Sequence, residues 1–274
     1  MPSCKMVIDF HTHVFPDRIA APTIKALAEV SGNVPTTDGT LDGLIANMCK
    51  AGVDLSVNLP VLTKPSQFDG TNRFARDINR GKFKDKVVSF AGIHPACEDV
   101  AAKIKWLKKE GFLGIKIHPD YQGTFVDDEA YYQIVKCAKD CDMVVVTHAG
   151  VDEGFPGHAV KCTPQRAAAL IDRLGGYSKL VLAHLGGNKM TDEVEKHLVG
   201  KDVCFDTAYV LKDLDKAQFC RIAGNHGADK ILFATDCPWS DVGRDLQIIR
   251  EFARAGDLDK IFSRNAMRLI GKEN

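Results

Sequence analysis

The stretch Val7-Ile8-Asp9-Phe10-His11-Thr12-His13 joins an apolar run to two imidazoles spaced two apart. Such a run reads as a buried strand. Side chains alternate along a strand, so His11 and His13 point one way and Thr12 the other. The same design, an apolar run closed by titratable side chains, recurs at Leu113 to His118, Met143 to His148, Leu180 to His184 and Ile231 to Asp236. In the first of these, Lys116 and His118 again share a face, with Ile115 and Ile117 turned towards the surroundings. Three more runs, Leu55 to Val61, Val87 to His94 and Val203 to Thr207, bring the predicted strands to eight.

Helix formers or helical periodicity fill the intervals, at Val100 to Glu110, Asp128 to Cys141, Pro164 to Leu174, Asp192 to Leu198, Leu214 to Asn225 and Asp245 to Ala255. Strands alternating with helices imply βα units around a parallel sheet. Eight such units in 274 residues, close to the roughly 250 the architecture takes, predict an α/β fold: a single-domain (β/α)8 TIM barrel over residues 1–274. Thr163 is placed to cap the helix that Pro164 opens, and Thr191 to cap the next. The stretch Val14 to Thr40, with Pro16, Pro22 and Pro35 and a helix around Thr23 to Val30, reads as a lid. Gly150 to Thr163 reads as a selectivity loop, since loops after barrel strands carry specificity.

Lys plus Arg and Asp plus Glu number 36 each. No net field therefore gathers nucleic acid or an anionic membrane. With neither a signal-like start nor an 18-residue apolar run, cytoplasmic residence is the expectation. Nine cysteines, Cys4 among them, include no C-x-x-C pair and read as reduced thiols. Cys137 and Cys141 fit two small apolar residues on one helix face better than a metal clip.

In a barrel the C-terminal strand ends meet at one mouth. His11, His13, His148, His184 and Asp236 all close apolar runs and so converge there. Two imidazoles on one strand face can present nitrogens to one ion. Asp236 also reads as a helix cap, and His184, before Gly186 and Gly187, as a core histidine beside a turn. Lys116 would be buried, which is costly unless it is paired, neutralised or modified; an ion pair to a carboxylate satisfies that need. His94 reads as structural or as pocket wall. His158, His197 and His226 read as surface residues, with His158 in reach of substrate. Trp239 reads as pocket lining or buried packing, and His118 as substrate-binding. Arg166, Arg244 and Lys189, each shortly after a site strand, are candidates to bind a substrate carboxylate.

The motifs Ile8-Asp9-Phe10-His11-Thr12-His13, Gly114-Ile115-Lys116-Ile117-His118-Pro119, Thr147-His148-Ala149-Gly150, Ala183-His184-Leu185-Gly186-Gly187 and Ala234-Thr235-Asp236 together resemble the amidohydrolase superfamily. More narrowly, they resemble the amidohydrolase-related branch that includes aminocarboxymuconate-semialdehyde decarboxylase. The ending Ile261 to Leu269 is similar to that family's closing segment. The resemblance implies one divalent ion, zinc in most members, held by His11, His13, His148 and Asp236, with His184 beside the water on that ion. In binuclear members the place of Lys116 is a carboxylated lysine, with the residues matching His148 and His184 on the second ion; decarboxylase relatives use one.

Such an ion lowers the pKa of water from roughly 15.7 to about 7. The first expectation is therefore a metal-dependent hydrolase acting on a small amide, lactone or ester, with Asp236 and His184 as the catalytic pair. The alternative is non-oxidative decarboxylation of a small unsaturated or aromatic carboxylic acid. A catalytically silent binding barrel is disfavoured by the intact ligand set. The resemblance also suggests a homodimer.

Overall fold

Short runs rich in β-branched and other apolar residues build eight parallel strands in a computed structural model that describes residues 6–272. They are β1 (Ile8–Thr12), β2 (Leu55–Asn58), β3 (Val87–Ser89, resuming as Ala91–Gly92), β4 (Gly114–Ile117), β5 (Val144–Thr147), β6 (Leu180–Leu182), β7 (Cys204–Asp206) and β8 (Ile231–Leu232). Neighbours pair in sequence order, every pair parallel. The break in β3 falls at Phe90, whose N–H donates to the Asn58 carbonyl at 2.9 Å and so keeps the ladder continuous. The ring closes between last and first strands. Phe10 N–H donates to Phe233 O (2.9 Å), Asp236 N–H to His11 O (2.8 Å) and His13 N–H to Cys237 O (2.7 Å). The predicted barrel is the observed one.

Two apolar layers hold it. Ile8, Phe10, Val57, Phe90, Val146 and Leu232 belong to the cluster that fills the interior, with Phe10 and Phe90 edge-on at 5.9 Å. Ala266 and Leu269 of the helix Asn265–Leu269, and Ile270 just after it, pack into that cluster and plug the end opposite the site. The second cluster joins the outward strand residues, among them Ile115, Ile117 and Phe205, to the helices.

Strict alternation fails in β1, where the site begins. The β1–β2 register runs Ile8↔Leu55 and Asp9↔Ser56, then shifts before Thr12↔Asn58. Such an irregularity re-aims side chains: Phe10 and His11 are adjacent, yet Phe10 packs inside the barrel and His11 reaches the centre at its mouth.

The helix over Pro164–Leu174 has the expected Thr163 cap, whose hydroxyl accepts from Arg166 N–H at 3.3 Å. Thr191 does not cap: it is the first residue of Thr191–His197, and its hydroxyl donates to Gln218 at 2.9 Å. The helices expected from Leu214 and Asp245 run instead over Lys216–His226 and Val242–Phe252, capped by Asp215 and Asp241. The lid helix spans Asp17–Ser31, longer than the expected segment, with Pro22 inside it. Cys4 lies outside the described residues; the other eight cysteines are free thiols. No described helix is long and apolar enough to cross a membrane.

Candidate metal centre

Three of the expected ligands meet at the barrel mouth. His11 Nε2 and His13 Nε2 stand 3.2 Å apart, with Asp236 Oδ1 at 3.4 Å from the first and 3.0 Å from the second. Donors about 2.0–2.1 Å from a tetrahedral ion stand roughly 3.3–3.4 Å from each other, so these three atoms are spaced as one face of such a shell. Each imidazole is fixed from behind. His11 Nδ1–H donates to Asp206 Oδ2 (2.9 Å) and His13 Nδ1–H to the Leu59 carbonyl (2.8 Å). Both Nε2 atoms therefore turn lone pairs towards the Asp236 oxygen. Lys116 Nζ donates to His11 Nε2 at 3.1 Å, whereas His13 Nε2 meets only His11 Nε2 and Asp236 Oδ1 among the described residues. Acceptors facing acceptors need a cation, and the donor set fits a divalent one.

The electrostatics agree. Burial, followed by the Lys116 charge, pushes His11 well below the usual imidazole range and keeps it neutral. Burial also brings Lys116 down to about 8, against the pull of Asp206 and Asp236. Asp236 is pushed up by burial, but its imidazole neighbours His11 and His13 outweigh this and hold it ionised. That pull requires positive charge at the imidazoles. Burial denies it to His11, and a bound cation would provide it. Among the described residues Lys116 has no carboxylate within ion-pair distance, so the expected pairing gives way to the hydrogen bond to His11.

His148, the fourth expected ligand, is close but not within that face. Its Nδ1 lies 3.0 Å from His184 Nε2, and its ring stacks on His118 at 4.3 Å and 11°. Its Nε2 is buried without a partner. His118, His148 and Asp152 bring ligand atoms close together, yet they do not make a second centre. Parallel stacked rings cannot converge their lone pairs on one ion. The His118 ring accepts from Tyr121 N–H through Nδ1 (3.4 Å), leaving Nε2–H to face Asp152 Oδ2 at 3.3 Å. His184 lies in a tight turn in which it and Leu185 both take left-handed backbone (φ 58° and 53°). Asp236 does the same (φ 67°). Strain of this kind gathers at functional sites.

A cavity of about 570 Å³ opens above these groups. His118 and Trp239 line it as expected; His158 does not, being exposed and edge-on to Phe155 at 5.9 Å. Arg166 and Arg244, in the first turns of their helices, are also off the cavity, paired with Asp127 and Asp245. Lys189 is bound to Glu153 at 2.6 Å. His226 is buried, not on the surface: it stacks on Phe205 at 3.9 Å, donates to the Val203 carbonyl and accepts from Gly200 N–H. His94 is buried and accepts from Ala96 N–H, a structural role. His197 pairs with Glu193 on its helix.

Sequence reasoning missed several groups at the site. Asp206, behind His11, closes the apolar run of β7 as the other site residues close theirs. Arg18, on the lid helix, is a cation at the cavity wall. Tyr121, in the single helical turn Pro119–Gln122, and Asp152, Glu153 and Tyr209, on loops, carry no periodic signal. Glu153 accepts from Tyr209 O–H, from Asn33 Nδ2 (3.1 Å) and from Lys189, tying the lid to the loops after β5, β6 and β7.

A parallel (β/α)8 barrel whose strand ends gather imidazoles and a carboxylate beneath a covered cavity defines a class of barrels built for metal-centred chemistry at the mouth. The chain belongs to the amidohydrolase family, whose sequence model matches residues 8–272. Among curated proteins none matches. Solved structures share the fold. A 5-carboxyvanillate decarboxylase from Sphingomonas paucimobilis superposes with TM-score 0.66 at 16% identity, over 97% of this chain and 99% of that one. A dihydroxybenzoic acid decarboxylase from a Polaromonas species, solved with manganese and 2-nitroresorcinol, gives 0.68 at 14%, over 97% of each. An uncharacterized TIM-barrel protein from Bordetella bronchiseptica gives 0.74 at 16%, over 97% and 99%.

Proposed function

We propose that this chain is a divalent-metal-dependent, non-oxidative decarboxylase of a small aromatic or unsaturated carboxylic acid. The observation that carries the reading is the acceptor-only face of His11 Nε2, His13 Nε2 and Asp236 Oδ1 at the floor of the cavity. His148, through Nδ1, is the fourth ligand. When bound, the ion supplies an electrophile that anchors a substrate oxygen and draws off developing negative charge. Sequence alone places hydrolysis of an amide, lactone or ester first. Decarboxylation takes precedence because solved relatives carry that activity in their names and because the cavity is lined by Phe15, Phe74, Tyr121, Tyr209 and Trp239, a wall suited to a flat unsaturated ring.

The reaction exchanges a carboxylate for a proton: R–COO⁻ plus H⁺ gives R–H plus CO2. Asp236, ionised at rest, and His184 stand at the floor as the relay through which the carbon receives its proton. Arg18 faces the acid from the lid side and pairs with a carboxylate. The aromatic wall and the lid exclude water, which strengthens these charge contacts. The test is product analysis. Metal-replete protein incubated with hydroxylated benzoic acids and unsaturated dicarboxylic acids should release CO2 and the acid's hydrogen-for-carboxyl product. Turnover of esters or lactones without CO2 from any acid would return the reading to hydrolysis.

A further inference from the structure

Three buried side-chain polar atoms lack a hydrogen-bond partner among the described residues, and two of them face each other: His148 Nε2 and Asp120 Oδ2, 3.8 Å apart. The side chains are 7% and 5% exposed, so neither atom has recourse to bulk water. A buried orphan of this kind carries an uncompensated desolvation penalty. The other end of the imidazole explains the pairing. His184 Nδ1–H donates to the Ala208 carbonyl at 2.9 Å, which leaves a bare lone pair on His184 Nε2, 3.0 Å from His148 Nδ1.

His148 then has two choices. With the proton on Nδ1 it satisfies His184 but turns a bare Nε2 towards the Asp120 carboxylate. With the proton on Nε2 it offers Asp120 a donor and turns a bare Nδ1 into the centre beside the bare His184 nitrogen, an arrangement that only a cation at the centre makes favourable. We infer that Asp120 is the positioning residue for His148: it holds the proton on Nε2 and thereby keeps Nδ1 free to ligate the metal. It does for His148 what Asp206 does for His11 and the Leu59 carbonyl for His13, through a contact that closes by less than about 1 Å to reach hydrogen-bond length. The inference rests on His148 being a ligand.

Asp120→Asn tests it sharply. Oδ1 already accepts from Lys161 N–H at 3.2 Å, so the amide keeps that bond with its oxygen and presents NH2 to His148. A donor there favours a bare Nε2 and drives the proton to Nδ1, blocking the ligand atom. Two quantities are read: the Kd for manganese and for zinc, and the His148 tautomer from long-range 1H–15N imidazole spectra of the holoprotein. Wild type should show Nε2–H. The Asn variant should show Nδ1–H and bind either metal about 10–100-fold more weakly, the range for loss of such outer partners. A wild-type spectrum with Nδ1–H overturns the inference even if no variant folds. So does an Asn variant with unchanged tautomer and Kd. Wild type that binds neither metal overturns the proposed function instead.

Discussion

At the scale of single residues, the centre depends on imidazoles held in one tautomer. His11→Ala should remove bound metal from the purified protein, measured as moles per chain by elemental analysis; retention of a full equivalent would refute the ligand assignment. Asp206→Ala leaves His11 Nδ1 without its acceptor, and the metal Kd should rise about 10–100-fold. Arg18→Ala should raise KM for the decarboxylated acid far more than it lowers kcat, because the arginine meets the substrate's charge rather than the reacting carbon. Away from the site, burial, then the Lys230 charge, lowers His226 to about 4. The unfolded chain binds this proton near pH 6.5, so the stability at stake is present above 6.5 and is lost as pH falls towards 4, by up to about 3 kcal/mol. The gap in melting temperature between wild type and His226→Gln should therefore narrow over that interval. The strand-end residues His11, His13, His148, His184 and Asp236 were legible because an apolar run fixes both strand and direction. Asp206 was overlooked because its run was carried one residue further, to Thr207, and so ended on no charge. Arg18, through the docking of the lid helix, and Glu153, through the path of its loop, owe their places to tertiary geometry that no local pattern encodes.

Among elements, the lid is the informative one. The carboxylate of Glu153 is one of its ties over the cavity, taking hydrogen bonds from Asn33 just past the helix end, from Tyr209 and from Lys189, beside the bonds of Thr36 to the Pro238 and Ser240 carbonyls. Tyr209 pays for its place with a left-handed backbone, φ 66°. Glu153→Ala should leave metal content unchanged while raising hydrogen exchange over residues 17–31 and raising KM; an unaltered exchange profile would mean that packing and the Thr36 bonds seat the lid. The strand starts were readable to within a residue, since each strand is buried on both faces and so nearly continuous in apolar character; the ends were not, because the runs Leu55 to Val61, Val87 to His94 and Ile231 to Asp236 stay apolar beyond the pairing that stops at Asn58, Gly92 and Leu232. Helix starts were harder. Asp215 and Asp241 cap their helices, yet each lies in a polar stretch offering several equal candidates, and tertiary packing chooses among them.

For the whole molecule, ligand linkage gives the broadest prediction. An ion that binds only the folded barrel stabilises it by about 2.7 kcal/mol at a concentration 100 times its Kd. Chelation should lower the melting temperature of wild type and leave that of His11→Ala unmoved. The overall architecture was legible from the eightfold rhythm, whereas the register shift in β1, which brings His11 into the centre, was not: it depends on how the stretch from Asp9 to Thr12 pairs with β2. The plug formed by Ala266, Leu269 and Ile270 has its own consequence. They close an interior built by strands as distant in sequence as Ile8 and Leu55. Contacts of such long sequence separation carry the loop-closure entropy of most of the chain, so the sealing of this end belongs to the slow part of folding.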